Sequence, residues 1–318
     1  MMRETAGAFG KTRLLIDTDA NNETDDQHAI AYALFSDESL DVEGITVNQT
    51  HNGGTVDVQM EEAVRIVKLC DRYPDIPMYK GANGNLKDIL PHLDTPDFDG
   101  HEAVDFIIEQ ALKESDSKLV LLPIGKLTNI ALALAKAPEI IPNVRVVWLG
   151  SNFPAEEDVE YNLTSDRDAV RYLLDCPVEF EMVTVLFGDP EGTWGLKVSQ
   201  EEILRTMPGV GPRISEPVTG RHGGEFFCFG DYSANLYANA PQHGTPPGRP
   251  LFDVGAVAVV KNPEWARATV IPRPMLVDRG WSLRPENSMK MVVWDCFNRT
   301  EIISDFFETM EACRMCSC

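Results

Sequence analysis

Apolar and polar residues follow one another along this chain in blocks that predict strands and helices in turn. Short apolar runs such as residues 119–124 and 144–149 are typical of buried strands, whereas residues 25–35 and 56–69 have apolar side chains at helical spacing. The predicted strands are residues 14–16, 42–47, 119–124, 144–149, 178–186 and 289–294, and the predicted helices are residues 25–35, 56–69, 103–112, 127–136, 166–174 and 301–311. This alternation predicts an α/β fold with an open, mostly parallel (mixed), Rossmann-like sheet flanked by helices.

Residues 198–248 interrupt this pattern with connections rich in glycine and proline. Turn-forming tracts stand at residues 208–212 and 243–248, and such tracts end helices and strands. The sequence shows neither an internal repeat nor a low-complexity run. We therefore predict a single domain over residues 1–318, in which residues 198–248 form an excursion that covers the face carrying the functional site.

The chain is strongly acidic, which argues against two classes of partner. Its 318 residues include 28 Lys and Arg against 50 Asp and Glu, a formal net charge of −22. Binding to a phosphate backbone or an anionic membrane needs clustered cationic side chains, so we expect neither nucleic acid nor membrane as a partner. No apolar run is long enough for a membrane span. The charge leaves open whether part of the acidic surplus surrounds a cation.

Seven cysteines, an odd number, favour reduced thiols over a disulfide framework. Residues 1–11 lack the apolar run of a secretory signal, so the expected location is the cytoplasm. Cys313, Cys316 and Cys318 form a cluster, but no second CxxC or His pair stands nearby to complete a zinc site. We interpret this tail as reduced thiols.

The densest functional signal follows the first predicted strand, where residues 17–26 read DTDANNETDD. Ligands of open parallel sheets bind beyond the carboxyl ends of the strands. Carboxylates this close repel one another, and a hard cation such as calcium is their natural partner. The alternative is a solvated loop before an acid-capped helix. A DxD pair also follows a strand in haloacid-dehalogenase-like phosphatases, but Asn21 stands where that family needs Thr or Val.

With four later segments, the sequence resembles the inosine–uridine-preferring nucleoside hydrolase family. That family opens with a strand ending in DxDPGxDD and an Ala/Ile-rich helix, and residues 17–19 and 25–31 match its two halves. The later matches are GITVN at 44–48, LPIGKLTNIA at 122–131, EYN at 160–162 followed by Asp166, and LFDVGA at 251–256. Each match is weak alone, but in this order they span about residues 13–300 and imply the nucleoside hydrolase fold.

The resemblance implies an N-glycosyl hydrolase that uses one Ca²⁺ to split ribonucleosides into ribose and free base. Asp19 would act as general base on a metal-bound water, and nearby oxygens would favour an oxocarbenium-like transition state. The implied calcium ligands are Asp19, Asp26, Asp253 and the backbone carbonyl of Ile124. The implied substrate-binding residues are Asp25 at the ribose 2′- and 3′-hydroxyls, Asn48, Asn152, Glu160, Asn162 and Asp253. A role in purine or pyrimidine salvage and a homodimer or homotetramer are implied in the same way.

Two departures separate this chain from the family pattern. Residues 20–24 form a five-residue spacer in the first motif, longer than the family's, so Asn21, Asn22 or Glu23 could enter the pocket. Phe252 stands where the family has a His that is thought to protonate the leaving base. The candidate replacements are His51, His222 and His243, or an aromatic wall formed by residues 226–229 with Tyr232 or by Trp194.

Three functions therefore remain open at this point. The leading one is calcium-dependent hydrolysis of ribonucleosides. The second is hydrolysis of another ribosyl or glycosyl compound on the same fold, which the longer spacer and the missing His would allow. The third is a ribose-binding protein that has lost catalysis.

Overall fold

A computed structural model of the chain describes residues 10–245 and 247–313. The strands are β1 (Thr12–Thr18), β2 (Leu40–Val47), β3 (Met78–Lys80), β4 (Leu119–Pro123), β5 (Val144–Leu149), β6 (Glu179–Val183), β7 (Lys197–Ser199), β8 (Val218–Thr219), β9 (Glu225–Phe226), β10 (Gly248–Pro250), β11 (Arg267–Pro272), β12 (Met275–Leu276), β13 (Trp281–Ser282) and β14 (Lys290–Asp295). The α-helices are α1 (Asp25–Phe35), α2 (Val56–Leu69), α3 (Leu86–Ile89), α4 (His101–Ala111), α5 (Thr128–Lys136), α6 (Tyr161–Ser165), α7 (Arg167–Asp175), α8 (Gln200–Thr206), α9 (Phe229–Asn239), α10 (Phe252–Lys261) and α11 (Arg299–Ala312).

Eight of these strands form one central sheet in the order β11-β14-β6-β5-β4-β1-β2-β3. All neighbouring strands in it are parallel except β11 and β14, which are antiparallel. The predicted α/β fold with a mostly parallel, mixed sheet is therefore confirmed. Parallel pairing of β1 with β2 and β4 sets their carboxyl ends side by side, at the edge where ligands bind in such sheets.

Apolar clusters cover both faces of the sheet, as the uninterrupted apolar run in β1 requires. Leu14 and Ile16 belong to one cluster, which includes residues of α1, α2, α10 and α11. Leu15, between them, belongs to the other, which includes residues of α4, α5 and α7. All three side chains are fully buried, and each such burial stabilises the fold by about 1.5–3 kcal/mol. The sheet is thus a rigid base for the loops at its edge.

Most predicted elements are observed within a few residues, and α1 and α2 have the predicted bounds. The predicted strand over residues 178–186 is wrong in its second half, because β6 ends at Val183. Leu186 has a φ angle of 45°, a left-handed backbone that a strand does not admit. Thr184 still donates to the Trp294 carbonyl of β14, and the chain turns away from the sheet by Leu186.

The described part of residues 198–248 contains α8, α9 and short two-stranded pairings. The single-domain organisation and the homo-oligomer stay predictions. No helix within residues 10–245 and 247–313 is both long and apolar enough to cross a membrane. Of the C-terminal cysteine cluster, Cys316 and Cys318 lie outside the described residues.

Candidate active site

The acidic motif lies at the carboxyl edge of the sheet, where three chain segments meet. Asp19 follows β1, and Asp25 and Asp26 are the first residues of α1. Asp253 is the second residue of α10, which packs against α1. Carboxylate oxygens of Asp25, Asp26 and Asp253 lie within 4.8 Å of one another, and all three residues are buried. The partial positive charges at the starts of two helices favour negative charge at this place.

We call Asp19, Asp25, Asp26 and Asp253 the acidic cluster. Burial raises the pKa of all four carboxyl groups. Loss of water is the largest cause in each case, and repulsion from neighbouring carboxylates adds to it. The pKa of Asp19 rises to about 7 and that of Asp25 to about 6. The pKa values of Asp26 and Asp253 rise well above the ordinary range. A bound cation would compensate these charges, so the cluster suits one.

The oxygen atoms around the cluster are the kind that calcium prefers, since that ion takes carboxylates and backbone carbonyls together. Ile124 lines the same cavity, and its carbonyl accepts a hydrogen bond from Asn162 Nδ2 at 3.1 Å. A carbonyl oxygen has a second lone pair, which this bond leaves available. The three carboxylates that lie close together are those of Asp25, Asp26 and Asp253. The resemblance implied Asp19, rather than Asp25, as the third carboxylate ligand of calcium. Asp19 lines the same cavity as this group, and its charge raises the pKa of Asp26 and of Asp253.

Asp17 is a buried residue to which the sequence assigned no role. Its carboxylate accepts hydrogen bonds from Thr46 Oγ1 at 2.6 Å, Asn129 Nδ2 at 2.7 Å and Asn48 Nδ2 at 2.9 Å. Because a carboxylate only accepts, it turns the NH₂ group of Asn48 toward itself. The Asn48 side-chain oxygen is left buried and without a partner among the described residues. The sequence signal for Asp17 was its position directly after the apolar run of residues 14–16, and the structure adds that it pairs with Thr46 across β1 and β2.

Two of the residues implied at the sugar, Glu160 and Asn162, are held by backbone groups near the ends of β4 and β5 and at the start of α6. Glu160 accepts hydrogen bonds from the backbone N–H groups of Ser151, Asn162 and Leu163 at 2.8–3.0 Å. Asn162 Nδ2 donates to the carbonyls of Ile124 and Leu149, both at 3.1 Å, which leaves its side-chain oxygen available. The residues of the implied site that line one cavity are Asp19, Asp25, Asp26, Ile124, Asn152, Glu160, Asn162 and Asp253. Asn48 does not line it.

Gly125 separates Asp19 from Asn48 and leaves no room for a side chain. A Cβ atom there would lie 2.8 Å from Asp19 Oδ1 and 3.0 Å from Asn48 Nδ2.

We expect Gly125→Ala to displace both side chains and to lower kcat roughly 10- to 100-fold, because small misplacements of reacting groups have large effects on rate. Steady-state kinetics on a nucleoside would measure this. The control is Gly10→Ala, since no atom lies within 4 Å of a Cβ at Gly10, and equal rates for both variants would contradict the expectation.

The cavity has a volume of about 490 Å³ and combines the acidic cluster with aromatic side chains. Phe187, Trp194, Phe252 and His243 all line it. The Trp194 ring lies 4.3 Å from Phe187, 6.1 Å from Phe252 and 5.8 Å from His243 between ring centroids. Rings at these distances form a continuous apolar surface, which suits a planar group of a ligand. We call these four residues the aromatic wall.

The structure selects among the candidate replacements for the missing His. His243 lines the cavity, whereas His51 and His222 are exposed and do not line it. Trp194 lines it too, but residues 226–229 and Tyr232 do not. The wall hypothesis based on these last residues is wrong, because Phe229 and Tyr232 are fully buried in the apolar core.

The five-residue spacer enters the cavity through two of its members. Asn22 and Glu23 line the cavity, whereas Asn21 does not, since its side-chain amide donates to the Gly53 carbonyl at 2.8 Å. Glu23 forms an ion pair with Arg249, a buried residue just before α10 that also lines the cavity. This ion pair links the spacer, residues 20–24, to the segment that carries Asp253.

Curated relatives match most of the chain at low identity. An uncharacterised protein of Schizosaccharomyces pombe is 29% identical over 225 residues, which cover 64% of this chain and 70% of the relative. The pyrimidine-specific ribonucleoside hydrolase RihA of Shewanella woodyi is 28% identical over 274 residues, covering 79% of this chain and 80% of the relative.

Solved structures of similar fold extend over almost the entire chain. The plant nucleoside hydrolase PpNRh1 superposes with a TM-score of 0.73 at 18% identity, covering 95% of this chain and 100% of that one. A purine-preferring ribonucleoside hydrolase from Gardnerella vaginalis gives 0.71 at 22% identity, covering 95% and 99%. These likenesses show the fold.

A family model described as inosine-uridine preferring nucleoside hydrolase matches residues 14–302. The match extends from the start of the apolar run in β1 into α11, so it contains the acidic cluster and the aromatic wall. The expectation of an enzyme that acts as an N-glycosyl hydrolase is thereby confirmed. The chain belongs to the inosine–uridine preferring nucleoside hydrolase family.

Proposed function

We propose that this chain hydrolyses the N-glycosidic bond of ribonucleosides to ribose and free base, with one calcium ion in the acidic cluster. The observation that carries the proposal is that Asp19, Asp25, Asp26 and Asp253 share a cavity with the aromatic wall. A sugar that develops positive charge calls for nearby oxygens and negative charge, and a planar base calls for apolar rings. One cavity offers both.

Asp26, Asp253 and the carbonyl of Ile124 would hold the calcium ion, with Asp19 and Asp25 next to it. The fit rests on buried carboxylates whose pKa values are raised by lost hydration and mutual repulsion. When bound, calcium supplies a positive charge that makes a neighbouring water molecule more acidic.

The side chains of the cluster divide the work on the sugar. Asp25 would accept hydrogen bonds from the ribose 2′- and 3′-hydroxyls, and Asn162 would contact another sugar hydroxyl through its free side-chain oxygen. Asp19 would take a proton from the attacking water as general base. The water oxygen then bonds to C1′, the bond from C1′ to the base nitrogen breaks, and the leaving base takes up a proton. Carboxylates around the ring stabilise the positive charge on the sugar.

The aromatic wall is the proposed site of the base. Among similar proteins, the Shewanella woodyi relative is named for pyrimidine nucleosides and the Gardnerella vaginalis structure for purine nucleosides. The family therefore admits both kinds of base, and the wall of this chain decides its own preference.

A substrate panel tests the proposed function. The panel comprises inosine, guanosine, adenosine, uridine, cytidine and p-nitrophenyl riboside, with release of the base or nitrophenol as the readout. We expect turnover of at least one nucleoside and of the nitrophenyl compound. Turnover of p-nitrophenyl riboside without any nucleoside would favour the second function, and ribose binding without any turnover would favour the third.

His243 is the proposed proton donor to the leaving base. Replacement by asparagine should lower nucleoside turnover roughly 100-fold or more, since positioned acids contribute that much to rate. Turnover of p-nitrophenyl riboside should stay within about twofold, because this leaving group departs as the stable nitrophenolate anion and needs no proton donor. The control is His222→Asn, an exposed residue outside the cavity. Equal losses on both substrates would contradict the role of His243.

A further inference from the structure

We propose that Tyr161 and Thr50 form a chain of two hydroxyl groups that positions the Asp19 carboxylate for proton transfer. The inference rests on the proposed function, in which Asp19 is the general base. It assigns a role to two residues that the resemblance left without one. Tyr161 stands at the centre of the EYN segment.

The chain of hydrogen bonds is continuous from a backbone N–H group to the carboxylate. The Asn52 backbone N–H donates to Tyr161 Oη at 2.8 Å. The Tyr161 hydroxyl donates to Thr50 Oγ1 at 3.1 Å, and the Thr50 hydroxyl donates to Asp19 Oδ2 in a short hydrogen bond.

The direction of these bonds follows from which groups can donate. An ionised carboxylate only accepts, so Thr50 must give its single proton to Asp19. Thr50 can then take part in the next bond only as an acceptor, so Tyr161 must donate to it. The Asn52 N–H fits this order, because it supplies a donor to the phenol oxygen. Aligned hydrogen bonds of this kind polarise and strengthen one another.

The surroundings of the phenol keep it able to donate. Burial is the main cause that raises the pKa of Tyr161 to about 12, and the negative charge of Asp19 adds to it. The phenol therefore keeps its proton at neutral pH. The ring packs edge-on against His51, with 5.6 Å between centroids and an interplanar angle of 88°. Tyr161 is also the first residue of α6, directly after the helix-capping Glu160.

The hydroxyl chain holds one oxygen of Asp19, and the absence of a side chain at Gly125 leaves room for the other. Asp19 Oδ2 accepts from Thr50, and Asp19 Oδ1 lies close to Gly125, where a Cβ would approach it to 2.8 Å. The hydrogen bond from Thr50 to Oδ2 therefore favours one orientation of the carboxylate, in which Oδ1 lies next to Gly125. Thr50 does not line the cavity, so it acts through Asp19 as a positioning residue. Tyr161 does line the cavity, and it is assigned the same positioning role because its hydroxyl donates to Thr50.

Four variants test the proposal: Thr50→Val, Thr50→Ser, Tyr161→Phe and the double variant T50V/Y161F. We expect T50V to lower kcat on a nucleoside roughly 10- to 100-fold, because a hydrogen bond to a charged group is lost. Y161F should lower kcat about three- to tenfold. KM should stay within about twofold in both, and T50S should regain most of the rate. The matched control is Tyr172→Phe, a half-buried tyrosine on α7 away from the cavity.

The double variant separates a chain from two independent contacts. If Tyr161 acts only through Thr50, T50V/Y161F should be no slower than T50V. Additive losses, or a Y161F effect on KM with kcat unchanged, would overturn the proposal, because Tyr161 would then act on the substrate.

A structural readout keeps the two proposals distinguishable. If the wild-type chain hydrolyses no nucleoside, the proposed function fails, and crystal structures of the wild type and T50V decide the present inference. We expect the Asp19 carboxylate to rotate in T50V and to stay in place in T50S. An unchanged Asp19 orientation in T50V would overturn the hydroxyl chain whatever the activity.

Discussion

Asp19→Asn should lower kcat on every nucleoside substrate roughly 1,000-fold, within the range that a positioned general base contributes. Asparagine has the shape of aspartate and can still accept the hydrogen bond of Thr50, but its amide cannot take a proton from water. The variant should fold normally, since one of four mutually repelling carboxylates is removed from a buried cluster.

Single-turnover kinetics would measure this loss, and the melting temperature would confirm folding. The control is Asp75→Asn, a change of the same kind at an exposed residue, which should leave kcat unchanged. A D19N enzyme with more than about a tenth of the wild-type rate would show that the proton goes to another group.

Asp253→Asn should weaken calcium binding at least roughly 100-fold, because calcium affinity depends steeply on the number of charged ligands. The residue is 2% exposed and lies within 4.8 Å of the oxygens of Asp25 and Asp26. Its loss removes one charge of the site without opening a large void.

Two measurements report this effect. Calorimetric titration gives the calcium Kd directly. Calcium that binds only the folded state also raises the melting temperature. This rise should be present in the wild type and nearly absent in D253N. Glu264→Gln, at an exposed residue just beyond α10, is the control. An unchanged Kd in D253N would remove Asp253 from the calcium site.

Elements with strong local signals could be predicted from the sequence. The acidic start and apolar spacing of α1 and the long amphipathic pattern of α2 gave their observed bounds. The edge strands β3 and β11 were not predicted. β3 has three residues, and β11 is largely exposed and pairs only with β14 in the sheet. Short or exposed strands form because they pair with a neighbouring strand. The local sequence pattern gives no information about that neighbouring strand.

Some residues of the candidate site could likewise be predicted from a local motif, and others could not. Asp19, Asp25 and Asp26 stand in one motif, and their position after β1 predicted where they would lie. Asp253 is far away along the chain and was found only through the resemblance.

Contacts between distant segments could not be predicted from the sequence pattern or from the family resemblance. Thr50 reaches Asp19 and Glu23 pairs with Arg249 only because loops from different strands fold over the same edge. The aromatic wall combines Phe187, Trp194 and His243 from two loops with Phe252 at the start of α10. Distances of this kind depend on packing, and the sequence offered several aromatic residues without a way to choose among them.

In the proposed function, one acidic cluster holds calcium and ribose together. A crystal structure of the D19N variant with calcium and a nucleoside, using anomalous scattering to identify the ion, tests it most directly. We expect calcium bound by Asp26, Asp253 and the carbonyl of Ile124, with the ribose hydroxyls at Asp25 and the base against the aromatic wall. Calcium bound elsewhere, or a ribose that does not contact Asp25, would contradict it.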